Sequence, residues 1–418
     1  MVKSVGFILM LDVSGSMSDA IPQVQINANA FLGQGIPGDQ FAVNAFSNHA
    51  FWVYPQNAAS NIVNVSLPQL EAAKKEIDKL KALGVTNITN AIQLGNNMIA
   101  KAATDIKAFV LLSDGFHNEG PLAPDLVLGY EPPLYIAGMG YCKEANFTRM
   151  LAKNPRSRFF YKPRSYEMML MFNQIRADSA NGALAANKLH TTRGNYYTLD
   201  EFYIASSSNA QVCVTWTDKS FIYTPGTPRG HEIYVALIDP DGKRLSVRPS
   251  IAGGGFCIFH LTGAKAGRWR VMTEFSTPDT FNTTVGVVDR EFCVSTVLDA
   301  PMIAKVGEPV NVNVAVNDDY GPCENITMDV HTTKYEITGK PDVLGTEESV
   351  PETEGVQNVD INQKETRRLL SVVDGTHMIT LDDTAQPGIY NVEVTVEGRE
   401  KKTGEKFTQI KTVSIILK

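Results

Sequence analysis

Most of the features by which a sequence declares its chemistry are missing from this 418-residue chain. No apolar run approaches the roughly 20 residues that a bilayer-crossing helix needs, so no membrane span is expected. The five cysteines (Cys142, Cys213, Cys257, Cys293 and Cys323) are few, odd in number and widely scattered. None has Cys-x-x-Cys spacing, which excludes a zinc cluster or a disulfide framework and predicts buried thiols. There is no lysine or arginine block, and the formal net charge is −7 with a pI near 5.6. A general nucleic-acid binder is therefore excluded. Neither a Gly-x-x-x-x-Gly-Lys-Ser/Thr loop nor a Gly-x-Ser-x-Gly elbow occurs. His231-Glu232-Ile233-Tyr234-Val235 begins like a zinc-protease helix, but it lacks the second histidine and sits in a strand pattern. Gly253-Gly254-Gly255 reads as a turn between strands, and the seven histidines are dispersed. Lys3 and the apolar residues after it imitate a signal peptide only in outline, because the run is short and has no small-residue cleavage site. With Met1 taken as the start, a cytoplasmic protein is expected; a leader upstream would make it extracellular.

What is present is globular. Hydrophobic content of 43% and charged content of 20% describe packed domains, and the length exceeds one ordinary core. Val5-Gly6-Phe7-Ile8-Leu9-Met10-Leu11 is a continuous apolar run and reads as a strand buried on both faces. It stops at Asp12, and Ser14 and Ser16 follow at alternate positions. Asp-x-Ser-x-Ser at the carboxyl end of a parallel strand puts three hard oxygen ligands on one small loop, in the crevice where open α/β sheets bind ligands. Such oxygens suit Mg²⁺, Mn²⁺ or Ca²⁺ better than zinc or copper. The plainer alternative is that Asp12 and Ser14 cap the following helix.

Strands and helices then alternate up to about residue 177. A helix is expected over Ile21 to Leu32, with Pro22 in its first turn. Gly35-Ile36-Pro37-Gly38-Asp39 is a turn, Phe41–Phe46 a strand, and Phe51–Tyr54 an edge strand. Leu67, Leu70, Ala73, Ile77 and Leu80 recur at helical spacing. Gly84-Val85-Thr86-Asn87-Ile88-Thr89-Asn90 is a loop leading into another helix. Phe109–Leu112 is a second buried strand that ends in a carboxylate, at Ser113-Asp114-Gly115. Leu134–Ala137 and Arg158–Tyr161 are further strands, and Tyr166–Ile175 is a closing helix. That alternation demands a doubly wound, Rossmann-like parallel sheet.

This order, with its three loops, resembles the von Willebrand factor A (VWA) domain with its metal-ion-dependent adhesion site (MIDAS). The resemblance implies that Asp12, Ser14, Ser16, Thr86 and Asp114 form the metal site, with the hydroxyls in direct contact and the carboxylates acting partly through water. Gly84-Val85-Thr86 departs from the family's Gly-Gly-Thr, which leaves Thr89 as an alternative ligand. Neutral direct ligands leave the cation short of negative charge, so an acidic side chain of a partner completes it. Glu119, five residues beyond Asp114, is either a solvated loop residue or a local plug for that open position.

After a small polar bridge, Ala177 to Thr192, the periodicity becomes strand-like. Residues 195–296 read as one β-sandwich and 297–418 as a second, immunoglobulin- or fibronectin-like one. The polar, acidic stretch 339–368 is expected to be a mobile insertion in the second. Val235-Ala236-Leu237-Ile238-Asp239-Pro240-Asp241-Gly242 together with Ala266-Gly267-Arg268-Trp269-Arg270-Val271 is similar to the sandwich that follows the VWA domain in calcium-activated chloride channel regulator (CLCA) proteins and their bacterial relatives. Trp216 and Trp269 are expected core anchors. The resemblance implies a metal-dependent protein-binding module rather than an enzyme, with the sandwiches as spacer and second contact surface. An intracellular adaptor beside a MoxR-type AAA+ ATPase and an extracellular adhesin are both open. The competing class is a metal-dependent hydrolase or phosphoryl-transfer enzyme; it would need a base, a nucleophile or a second metal set that the sequence does not display.

Overall fold

Strand β1 (Val5–Asp12) is buried along its whole length because both of its faces are covered. Phe7, Leu9 and Leu11 point to one hydrophobic core, Ile8 and Met10 to another. The computed structural model describes residues 3–57, 62–123, 130–140, 142–206, 208–318, 321–323, 326–337, 361–367, 371–373 and 376–418. Around β1 the first unit runs α1 (Ile21–Gly33), β2 (Gln40–Phe46), β3 (Ala50–Tyr54), β4 (Val63–Asn64), α2 (Leu67–Ile77), α3 (Ile88–Ile99), β5 (Ile106–Ser113), β6 (Leu134–Met139), α4 (Glu144–Leu151), β7 (Arg158–Lys162) and α5 (Met168–Ser179). The sheet order is β3-β2-β1-β5-β6-β7, with β4 also on β2. All pairings among β2, β1, β5, β6 and β7 are parallel; β3 and β4 join antiparallel. Helices α1, α2 and α5 cover one face and α3 and α4 the other. This is the expected doubly wound α/β unit, with Phe51–Tyr54 on the expected edge.

The β-rich remainder departs from expectation at its start. The predicted polar bridge is instead the end of α5 and the beginning of a 22-residue strand, β8 (Ala183–Ile204). Its first five residues, Asn187 included, are buried, and exposure alternates only from Thr191 to Thr198, a mixture that composition alone reads as a linker. There follow β9 (Ser208–Trp216), β10 (Ile222–Thr224), β11 (Glu232–Ile238), β12 (Ile251–Gly253), β13 (Phe256–Ala264) and β14 (Gly267–Asp289). β8 and β14 pair antiparallel nearly end to end, with a register break between Thr277 and Phe281. One half of β14 carries β11 and the other carries β9, so the long ribbon bends over and closes on itself. Trp216 and Trp269 lie in the enclosed core at 1% and 3% exposure, and each indole N–H donates to a carbonyl, of Phe221 and Lys265 respectively. They are core anchors, as expected.

The last unit runs β15 (Val294–Asp299), β16 (Ile303–Ala304), β17 (Val310–Asp318), β18 (Gly321–Pro322), β19 (Thr327–Ile337), β20 (Ile361–Arg367), β21 (Ser371–Val373), β22 (Thr376–Leu381), β23 (Gly388–Arg399) and β24 (Lys406–Leu417). A sheet of β15-β17-β22-β21 packs face to face on β24-β23-β19, with the alternate valines of β17 and β23 meeting in between. The second sheet is not closed off from the middle unit, because β24 reaches β8 at Ile410 and Leu184. One 12-stranded sheet thereby runs through both. Most of the stretch 339–368 lies outside the described residues. Its residues 361–367 are a strand paired with β19, so that part belongs to the sheet rather than to a mobile insertion.

The β units clasp the α/β unit from two sides. On one, α1 and α5 are buried nearly all round, between the parallel sheet and strands β9, β13 and β14. There the turn residue Asp39, Arg176 of α5 and Arg290 just after β14 form an ion cluster with wholly buried side chains; Arg176 and Arg290 donate to Asp39 Oδ2 at 2.5 and 3.2 Å. On the other side, the outer edge of β7 is satisfied by side chains of the last unit. The Tyr161 N–H donates to Ser414 Oγ at 3.0 Å, and Asn391 Nδ2 donates to the Tyr161 carbonyl at 2.7 Å. An edge strand capped this way offers no ladder for aggregation.

Candidate metal centre

Parallel pairing brings the carboxyl ends of β1 and β5 side by side, which places Asp12 next to Ser113 and Asp114. Asp12 is fully buried. Its Oδ1 accepts from the Ser14 backbone N–H at 2.9 Å and from the Ser14 hydroxyl at 2.6 Å, and its Oδ2 accepts from the Ser113 hydroxyl at 2.6 Å. The Ser14 and Ser16 hydroxyls are 3.3 Å apart. Asp114 Oδ1 accepts from the Phe116 N–H at 3.1 Å.

The threonine loop is fastened to this one by its backbone. Gly15 N–H donates to the Gly84 carbonyl at 2.9 Å, and Leu83 N–H to the Val13 carbonyl at 2.8 Å. Thr86 is buried at 2% exposure; its N–H donates to Asn118 Oδ1 at 2.7 Å, and its carbonyl accepts from the Asn118 and Glu119 N–H groups. Gly84 has a φ of +74°, and a Cβ there would lie 1.9 Å from Asn48 Oδ1. Asn48 accepts from the Val85 N–H, so the glycine is needed at 84, and valine is tolerated at 85. Thr89 is placed differently. It lies in the first turn of α3, and its hydroxyl donates to the Pro121 carbonyl at 2.8 Å. Glu119 is exposed.

Sequence reasoning assigned no role to Ser113, Asn118 or Asn48, yet they orient Asp12, Thr86 and Val85. Ser113 carried a signal, being the one hydroxyl in the buried part of β5. Asn48 and Asn118 are loop residues that only the folded arrangement brings to the threonine.

Electrostatically the two buried carboxylates disfavour each other's charged form. Burial, together with the nearby Asp114 carboxylate, pushes Asp12 well above the ordinary carboxylate range against the hydrogen bonds of Ser113 and Ser14. Burial also raises Asp114, with Ser16 and the Phe116 N–H acting the other way. Among the described residues, no lysine or arginine is among the main influences on either carboxylate. The donors are hydroxyl and carboxylate oxygens. A hard divalent cation fits this set.

Residues 7–117 match the family model described as von Willebrand factor type A domain, and the N-terminal unit is a VWA domain. Domains of this kind are in general protein-interaction modules. The chain is 24% identical over 160 residues to inter-alpha-trypsin inhibitor heavy chain H1 of Bos taurus; the match covers 35% of this chain but 17% of that protein. Among solved structures it is similar to a von Willebrand factor type A protein from Catenulispora acidiphila, at 17% identity and a TM-score of 0.37, over 77% of this chain and 64% of that one. It is also similar to the ArnB paralog VWA2 from Sulfolobus acidocaldarius, at 13% identity and a TM-score of 0.32, over 76% of this chain and 62% of that one. The chain thus spans less than two thirds of each of these relatives. Among the described residues, no helix is long and apolar enough to cross a membrane.

Proposed function

We propose that this chain is a divalent-metal-dependent protein-binding module whose site captures an acidic side chain of a partner. The observation that carries this reading is the pair of buried carboxylates, Asp12 and Asp114, set side by side among hydroxyls at the rim of the sheet. Asp12, Ser14, Ser16, Thr86 and Asp114 would hold Mg²⁺, Mn²⁺ or Ca²⁺, and the bound cation supplies an acceptor for a carboxylate from outside. Within the chain, Ser113 and the Ser14 N–H fix the Asp12 carboxylate, while Asn118 and the Gly84–Gly15 link fix Thr86. Leu83, at 74% exposure the most exposed large apolar side chain described, stands on the same loop and is held there by its backbone bond to Val13. It offers an apolar contact beside the ion, which suits a protein surface better than a small substrate.

Metal binding and partner capture are separable in the test. Calorimetric titration of the full chain with Mg²⁺ or Mn²⁺ is expected to show one site that Asp12→Ala abolishes. An array of peptides with and without Asp or Glu is expected to retain the wild type only through acidic peptides, only with Mg²⁺ rather than EDTA, and to lose Thr86→Ala. Wild-type metal affinity in Asp12→Ala, or capture indifferent to both EDTA and Thr86→Ala, would overturn the assignment.

A further inference from the structure

At the opposite end of the parallel sheet from the metal loops, a cavity of about 350 Å³ opens where the three units meet. Its walls come from the starts of β6 and β7, the turn between α5 and β8, strand β15 and strand β24. Among the described residues, three cations line it, Arg156, Arg158 and Lys411, against one carboxylate, Asp178. In a chain of net charge −7 this is a local reversal of sign, and charge reversal focused in a cleft is an anion trap.

The cations are held rather than loose. Arg158 donates through one terminal nitrogen to the Pro155 and Ser157 carbonyls at 3.0 and 2.9 Å, which leaves its other N–H groups for a ligand. Arg156 donates to the Glu131 carbonyl at 2.7 Å. Lys411 is tied to Asp178 at 2.6 Å, and both side chains are about four-fifths buried. Tyr135 lines the same wall, and after burial itself Asp178 is what raises its hydroxyl pKa, while Arg158 and Arg156 lower it. Two further side chains in the wall, Thr296 and Gln409, are buried at 4% and 3% exposure, and among the described residues Thr296 Oγ1 and Gln409 Oε1 have no hydrogen-bond partner.

We propose that this interunit cleft binds a small molecule carrying a phosphate or carboxylate group, with Arg158 and Lys411 as its main anion contacts and Arg156 at its mouth. The volume lies within the roughly 300–1,000 Å³ of small-ligand sites. Arginine next to lysine is the pairing that grips an oxyanion by both fork and point charge. This site shares no residue with the metal centre, and neither proposal depends on the other.

The test uses the full chain, stripped of metal on a chelating resin and kept in metal-free buffer so that no metal attracts the anion, at constant ionic strength set with sodium chloride. Inorganic phosphate and succinate are titrated separately by calorimetry. Saturable binding of phosphate alone assigns a phosphoryl ligand, of succinate alone a carboxylate ligand, and of both a general oxyanion site. Arg158→Gln and Lys411→Gln are each expected to weaken binding about tenfold or more, Arg156→Gln less, and Asp12→Ala not at all. Circular dichroism and thermal melts check each fold; should Lys411→Gln melt early by freeing Asp178, Arg158→Gln carries the test. No saturable binding of either anion up to roughly 20 mM, or wild-type binding in Arg158→Gln and Arg156→Gln alike, overturns the proposal.

Discussion

Replacing Asp39 by asparagine should unfasten the α/β unit from the β units. Asp39 sits in the turn between α1 and β2, and its carboxylate accepts from the Val5 N–H, the Ile36 N–H and both guanidinium groups, of Arg176 and Arg290. All three charged side chains are wholly buried. The Asp39→Asn change keeps the shape but removes the cluster's negative charge, leaving two like charges together in a low-dielectric interface. Breaking a buried pair in this way costs about 3–5 kcal/mol, a large share of the roughly 5–15 kcal/mol that a folded protein has. Urea unfolding followed by tryptophan emission is the assay, since Trp216 and Trp269 report on the middle unit and Trp52 on the α/β unit. The pH dependence supplies a second check. Burial pushes Asp39 upward, but Arg176 and Arg290 outweigh it and hold the group below 3.8. Its stabilisation is complete above that value and is lost as pH falls through the lower folded pKa. The gap between wild type and Asp39→Asn should therefore be full at neutral pH and narrow in that acid window. Replacing all three residues by apolar ones of similar volume should cost less than the single change. A single variant within about 1 kcal/mol of wild type at pH 7, with an unchanged slope, would refute the reasoning.

Two further changes probe the same interface. Burial raises Asp289, at the end of β14, to about 6 despite the hydrogen bond from the Glu291 N–H. Its contribution to stability is thus complete below about 3.8 and lost as pH rises through about 6, amounting to roughly 3 kcal/mol; Asp289→Asn should gain on the wild type between pH 4 and pH 8 in urea titrations, and parallel pH profiles would count against it. At Gly286 a Cβ would lie 2.0 Å from Nδ2 of the fully buried Asn173, on α5. Gly286→Ala should cost about 1–3 kcal/mol through overpacking, read as a lowered melting temperature, and an unchanged melt would show that α5 yields.

The α/β unit was legible in the sequence because its signals are local. A buried parallel strand must be apolar throughout, so Val5–Leu11 and Phe109–Leu112 announce themselves, and each stops at the carboxylate that the crevice needs. The residues proposed for the metal share one rim for the same reason: parallel register between β1 and β5 fixes Asp12 beside Asp114 once both strands are known. Thr86 and Thr89 were not separable from spacing alone. What places them is the backbone link from Gly84 to Gly15 and the hydroxyl bond from Thr89 to Pro121, contacts between segments far apart in the chain.

Only the tertiary structure decided the rest. Ala183–Thr192 has the composition of a linker, with small residues followed by polar ones and no clean alternation, and only its partner β14 shows that it is a strand. Whether the two β units share a sheet depends on a single junction, Leu184 with Ile410, that no local pattern encodes. Asp39 read as a turn residue, because nothing near it in sequence reveals the arginines at 176 and 290. The interunit cleft is likewise assembled from five separate stretches of chain. Local patterning determines which segments are strands and helices and where carboxylates end them; long-range packing determines which charges end up buried together.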